Sequence, residues 1–109
     1  MKIEILYFDG CPHFEQAQDR MLEVLREEGV SGEVVKVNVT DSTMAQAVGF
    51  LGSPTIRIDG LDVEPGARSS NAFGMMCRTY SDAGVRSGLP SRELIRNAVR
   101  EACEQAGAA

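Results

Sequence analysis

The stretch Ile3-Glu4-Ile5-Leu6-Tyr7-Phe8-Asp9-Gly10-Cys11-Pro12-His13-Phe14 decides the fold. Ile3, Ile5 and Tyr7 alternate with Glu4, Leu6 and Phe8, and the end of the run is apolar on both faces. That is the pattern of an inner parallel strand covered on both sides. Asp9 and Gly10 break the strand. Pro12 suits the first position of a helix, where its fixed φ is preset and its missing amide costs nothing. Cys11 is then expected as the helix cap, its sulfur facing free N–H groups and the positive end of the helix dipole, which favour the thiolate.

Working outward, Phe14, Ala17, Met21 and Leu25 recur at helical spacing, with Leu22 beside the stripe and Gly29 as the stop. Glu33 to Val39 reads as a half-buried strand carrying Val35, Val37 and Val39. A strand–helix–strand unit of this length implies a parallel pair with a right-handed crossover. Asp41 or Ser42 caps a second helix with Met44, Ala47, Val48 and Leu51 on one face and Gly52 at its end. Ser53-Pro54 opens a strand Thr55–Asp59, and a cis bond is possible there. Asp59-Gly60 turns it into a short returning strand, Leu61–Glu64. From Pro65 to Pro90 the signals are weakest: Pro65 to Asn71 reads as loop, Met75–Tyr80 as a short strand and Ser81–Gly88 as loop. Ser91 caps a last helix with Leu94, Ile95, Ala98, Val99 and Ala102, closed by Gly107.

The bulk numbers narrow the function classes. At 109 residues the chain makes one domain, residues 1–109, with a core of its own. A hydrophobic content of 43% and a charged content of 25% are those of a globular chain. A net charge of −5, with 11 scattered Lys and Arg, argues against a nucleic-acid partner. No signal peptide and no membrane-spanning run is visible, so a cytoplasmic protein without membrane association is expected. Three cysteines, Cys11, Cys77 and Cys103, then point to reactive or buried thiols rather than a disulfide framework.

Two motifs, Gly10-Cys11-Pro12-His13 after the first strand and Ser53-Pro54-Thr55 before the third, make almost the whole chain resemble the thioredoxin superfamily. The resemblance implies an α/β, thioredoxin-like fold: a central mixed sheet of four to five strands in the order βαβαββα, flanked by helices, with an insertion before the last helix. It implies Cys11 as nucleophile, Pro54 as the cis-proline lying against it, and substrate contact by Ser53, Pro54 and Thr55, with Ser53 giving the backbone contact. Cys-Pro-His also opens the strongly oxidising periplasmic thiol oxidases. The family's second cysteine, three residues after the first, is here Phe14, which excludes a dithiol cycle within the motif. The Gly-Phe-Ser that follows the nucleophile of monothiol glutaredoxins is absent too. The chain also resembles small bacterial thioredoxin-like proteins with Phe-Asp-Gly-Cys-Pro, Gly-Ser-Pro-Thr and Cys-Arg-x-Tyr segments, some of them labelled alkylmercury lyase.

Each candidate has a plain alternative. Cys11 is a reactive thiol or a small buried hydrophobe. His13 acts electrostatically or as a proton shuttle, or is an exposed helix-start residue. The Asp59-Gly60 hairpin brings the insertion back to the Cys11 end of the sheet. Cys77 is then either a displaced resolving cysteine, which needs a Cα separation of about 4.4–6.8 Å, or a buried strand residue beside Met75 and Met76. Cys103 is expected in the core of the last helix, and Arg68 and Arg78 in solvent or flanking the thiol. Tyr80 and Phe73 are candidates to cover the site. The readings that follow are a thiol–disulfide oxidoreductase using Cys11, His13 and Cys77 on a disulfide-containing protein or small thiol, with no bound cofactor beyond glutathione or another external thiol. The alternatives are a soft-metal or organomercurial thiol site at Cys11 and Cys77, and a non-catalytic binding module.

Overall fold

The computed structural model describes residues 1–107. Its elements are β1 (Lys2–Tyr7), α1 (Phe14–Glu28), β2 (Glu33–Asn38), α2 (Ser42–Val48), β3 (Thr55–Ile58), β4 (Leu61–Asp62), β5 (Tyr80–Asp82), β6 (Val85–Ser87) and α3 (Arg92–Gly107), with one 3-10 turn at Pro65–Ala67. A four-stranded mixed sheet has the order β2-β1-β3-β4. β1 pairs in parallel with β2, Leu6 opposite Val37, and antiparallel with β3, Ile5 opposite Ile56. β1 is thus the inner strand its composition requires, though only one of its neighbours is parallel.

Alternation along β1 sends its side chains into two cores. Ile3 and Ile5 join Ala17, Met21, Val24 and Leu25 of α1, Ile56 and Ile58 of β3, and Ile95, Ala98 and Val99 of α3. Leu6 goes the other way, to Val39, Ala45 and Phe50, with Phe8 packed beside them. The sheet is therefore sandwiched, α1 and α3 on one face and α2 on the other, the layered solution to burying both faces of a strand. Across the outer surface of the first pair, Arg92, Arg96 and Arg100 of α3 meet Glu23, Glu27 and Glu28 of α1.

The helix ends follow local chemistry. Gly29 takes a left-handed conformation (φ 66°) and closes α1, as a C-terminal glycine does. The Asp41 carboxylate accepts the Met44 N–H at 2.8 Å, and the Ser91 hydroxyl accepts the Leu94 N–H at 3.1 Å. Asp59 (φ 50°) and Gly60 (φ 85°) form the expected two-residue hairpin between β3 and β4.

Several expectations need correction. α2 ends at Gly49, also left-handed at φ 69°, rather than at Gly52. Ala45 is its buried residue, and the aromatic anchor beyond it is Phe50. The stripe of α1 also includes Val24, fully buried, while Leu22 beside it is exposed. The segment Ser81–Gly88 is not loop: β5 and β6 form a separate hairpin whose turn residues Ala83 (φ 52°) and Gly84 (φ 80°) are both left-handed. An alanine carries no signal for that conformation, so the turn was not legible. The strand expected at Met75–Tyr80 shrinks to one bridge at Cys77 and the start of β5. Cys103 is exposed, since the buried face of α3 runs through Ile95, Ala98, Val99 and Ala102 and passes it by.

Candidate functional site

Cys11 follows β1 in a turn. Its N–H donates to the Phe8 carbonyl at 3.2 Å, and Gly10 takes φ 86° inside that turn. The helix begins later than expected: His13 is the N-cap residue and Phe14 the first helical one. Cys11 is therefore not the cap and Pro12 is not the first helical residue: His13, at φ −110° and ψ 0°, stands outside helical geometry while its carbonyl accepts the Ala17 N–H at 2.9 Å. Phe14 packs its ring on Tyr7, centroids 4.0 Å apart at 22°. The position of a second motif cysteine is thereby a stacked aromatic on the sheet.

Cys11 is partly exposed, and Cys77 and Cys103 are exposed; all three are free thiols. The His13 imidazole lies against the connection between β6 and α3. A Cβ on Gly88 would lie 2.6 Å from the imidazole Cδ2 and 2.7 Å from Nε2. Its Nδ1 is buried without a hydrogen-bond partner. The imidazole thus packs against Gly88, and no hydrogen bond from Nδ1 reaches the thiol.

The Ser53–Pro54 peptide is cis. Ser53 lies beside the Cys11 turn, its Oγ accepting the Phe8 N–H at 3.4 Å. On its other side Ser53 pairs in parallel with Cys77: its N–H donates to the Met76 carbonyl at 2.8 Å and its carbonyl accepts the Arg78 N–H at 3.0 Å. Phe8, Ser53 and Cys77 therefore form one row across the end of the sheet from which Cys11 emerges. The backbone groups of Ser53 are both engaged by the chain itself. Thr55 is fully buried, its hydroxyl donating to the Gly52 carbonyl at 2.6 Å.

Beneath this row lies a buried polar cluster that the sequence did not announce. Arg78, expected in solvent or flanking the thiol, is 5% exposed. Its guanidinium donates to both Asp62 oxygens, at 2.6 and 2.8 Å, to Glu64 Oε1 at 3.2 Å and to Thr55 Oγ1 at 3.3 Å. It also stands 4.1 Å over the Tyr80 ring. The Tyr80 hydroxyl donates to the Pro54 carbonyl at 2.6 Å. Burial pushes the Tyr80 hydroxyl far above its ordinary pKa of 10, with Arg78 pulling the other way. Burial opposes the Arg78 charge, but its bonds to Asp62 prevail and raise its pKa. The bidentate carboxylate is what permits a guanidinium this deep. One hint existed: Asp62 and Glu64 alternate with Leu61 and Val63 in a short strand, but nothing in that pattern names Arg78 as partner. Arg68 is likewise not beside the thiol. It binds Glu101 of α3 at 2.7 Å.

Phe73 does not cover Cys11: its ring lies near Gly49, and its carbonyl accepts from Gln46 at 3.0 Å, both at the α2 end. Tyr80 is buried beneath the proline loop rather than above the thiol. Met75, Met76 and Cys77 form an exposed run of three sulfur-bearing side chains. Among the described residues no helix is long and apolar enough to cross a membrane, and no group of three or more His, Cys, Asp or Glu side chains is arranged to hold a metal ion. Comparison with protein-family models, curated proteins and solved structures returned no match for this chain.

Proposed function

We propose that this chain is a thioredoxin-like thiol–disulfide oxidoreductase of the cytoplasm, with Cys11 as its nucleophile. The observation that carries the reading is the position of Cys11: a partly exposed free thiol in the turn that ends the central strand, one hydrogen-bonded residue (Phe8) from Ser53. The Cys11 thiolate attacks one sulfur of a disulfide R–S–S–R, forms the Cys11–S–S–R mixed disulfide and expels R–S⁻. An external thiol R′–SH then attacks the R sulfur as its thiolate, releasing R–S–S–R′ and the Cys11 thiolate. In the intramolecular version the Cys77 thiolate attacks the Cys11 sulfur, expelling R–S⁻ and leaving a Cys11–Cys77 disulfide. Cys77 supports this role by its exposure and its place in the Phe8–Ser53–Cys77 row. His13, packed against Gly88 with no hydrogen-bond partner on Nδ1, is the remaining candidate for proton transfer at this site.

The test is to mix the reduced protein with glutathione disulfide and follow adducts by mass spectrometry. Cys11→Ser should abolish the fast adduct. Cys77→Ser should preserve it, and should make it persist if Cys77 is the resolver. Reaction of Cys11 no faster than that of an unstructured cysteine peptide would leave a non-catalytic binding module.

A second reading, a soft-metal or organomercurial thiol site, is favoured by the exposed Met75-Met76-Cys77 run near the Cys11 end of the sheet, since soft cations select thiolates and thioethers. Mercuric-ion titration separates the two. Loss of tight one-to-one binding in Cys77→Ser, with disulfide exchange at Cys11 absent, would favour the metal site.

A further inference from the structure

Ser53 is an extended residue whose N–H and C=O point along the sheet, away from Phe8. A polypeptide that docks by extending a sheet needs such a pair of groups free. Here both are taken by the chain's own Met76 carbonyl and Arg78 N–H. The occupant is anchored on two sides. Behind it, the Arg78 guanidinium is held by Asp62, Glu64 and Thr55 in a buried setting. In front, Gly52 (φ 110°) leaves the room it needs: a Cβ there would lie 2.9 Å from the Met76 carbonyl oxygen and 3.1 Å from Arg78 Cβ. An incoming peptide would have to break two backbone hydrogen bonds and strip the guanidinium from its carboxylates. A small molecule meets neither obstacle, because it reaches the partly exposed Cys11 thiol without pairing with Ser53.

We infer that Met76–Arg78 permanently fills the peptide-docking edge beside Cys11, and that the substrates of this thiol are small disulfides and thiols rather than extended polypeptides. The inference rests on the oxidoreductase reading above and narrows its substrate class. Electrons balance as before: one small disulfide gives one mixed disulfide at Cys11 and one small thiolate, and a second small thiol releases Cys11.

The experiment uses the full chain carrying Cys103→Ser, at an exposed position, and follows loss of the free Cys11 thiol by mass spectrometry of its peptide, so that Cys77 stays in place. One probe is bis(2-hydroxyethyl) disulfide. The other is an extended peptide of about ten residues, its single cysteine capped as a disulfide with 2-mercaptoethanol. Each rate is divided by the rate of the same probe with an unstructured cysteine peptide. The expected ratio of peptide probe to small probe is one or below, and the Ser53 and Arg78 amides keep their slow hydrogen exchange in the presence of the peptide. A ratio above one, or loss of that protection when the peptide is added, would overturn the inference and leave the oxidoreductase reading standing. No acceleration of either probe over the control would overturn both.

Discussion

Replacing Arg78 by methionine isolates the cluster that holds the Ser53–Cys77 pairing. Methionine fills much of the arginine stem's space but supplies no donor. The Asp62 carboxylate, 5% exposed, would lose both guanidinium bonds and keep only the Glu64 N–H at 2.8 Å. Breaking a buried ion pair on one side costs about 3–5 kcal/mol, and the stacking on Tyr80 adds about 0.5–2 kcal/mol. Apolar burial of the methionine offsets part of this, so the net loss is expected near 3–4 kcal/mol. With a urea slope of about 2 kcal/mol/M, the middle of the range for small domains, the midpoint falls by roughly 1.5–2 M. Adding Asp62→Asn to Arg78→Met removes the stranded charge yet keeps an acceptor for the Glu64 N–H. The double variant should recover at least about 2 kcal/mol, the behaviour of an uncompensated charge rather than of lost packing. Equilibrium urea unfolding followed by circular dichroism reads both values. A single variant within about 0.3 M of the parent midpoint, or a double variant as destabilised as the single, would refute the assignment.

Gly52→Ala should destabilise by more than about 1 kcal/mol, because it combines a positive φ with a backbone clash. Gly66→Ala, with open space around its Cβ position, should change stability by no more than about 1 kcal/mol; thermal melts of the pair distinguish the two sites. Tyr80, whose pKa burial raises, should remain protonated in the folded chain at pH 11, so the 295 nm absorbance should stay at or below that of one tyrosinate until unfolding. The stabilisation linked to that hydroxyl is complete below about pH 10 and is lost as pH climbs through the folded value. Hydrogen bonding to Arg100 lowers the Glu28 pKa, and Arg68 does the same for Glu101, both from the ordinary value of 4.5. Their contribution is present above that value and disappears as pH falls through the lowered ones, so acid should weaken the fold below pH 4.5. Because both pairs keep contact with solvent through one partner, 1 M salt should blunt the effect; acid titration of the melting temperature at two salt concentrations checks this.

Local chemistry alone determined the frame. The doubly apolar run at Ile3–Phe8 required an inner strand, helical spacing required α1 and α3, and Asp41, Ser91, Gly29 and Asp59-Gly60 marked caps and a turn through their own backbone preferences. The pairing of Cys11 with Ser53-Pro54 came from the family resemblance of the two motifs, not from local chemistry. Tertiary structure alone decided what these residues touch. Whether helix α1 starts at Pro12 or Phe14 depends on the backbone conformation His13 takes in the folded chain. Whether Arg78 lies in water or among carboxylates depends on Asp62, 16 residues away. Whether Ser53 is open or filled depends on a segment 24 residues further along, by the difference between positions 53 and 77. Residue type fixes what a group prefers to bond. Only the folded chain fixes which group, far along the sequence, arrives to satisfy it.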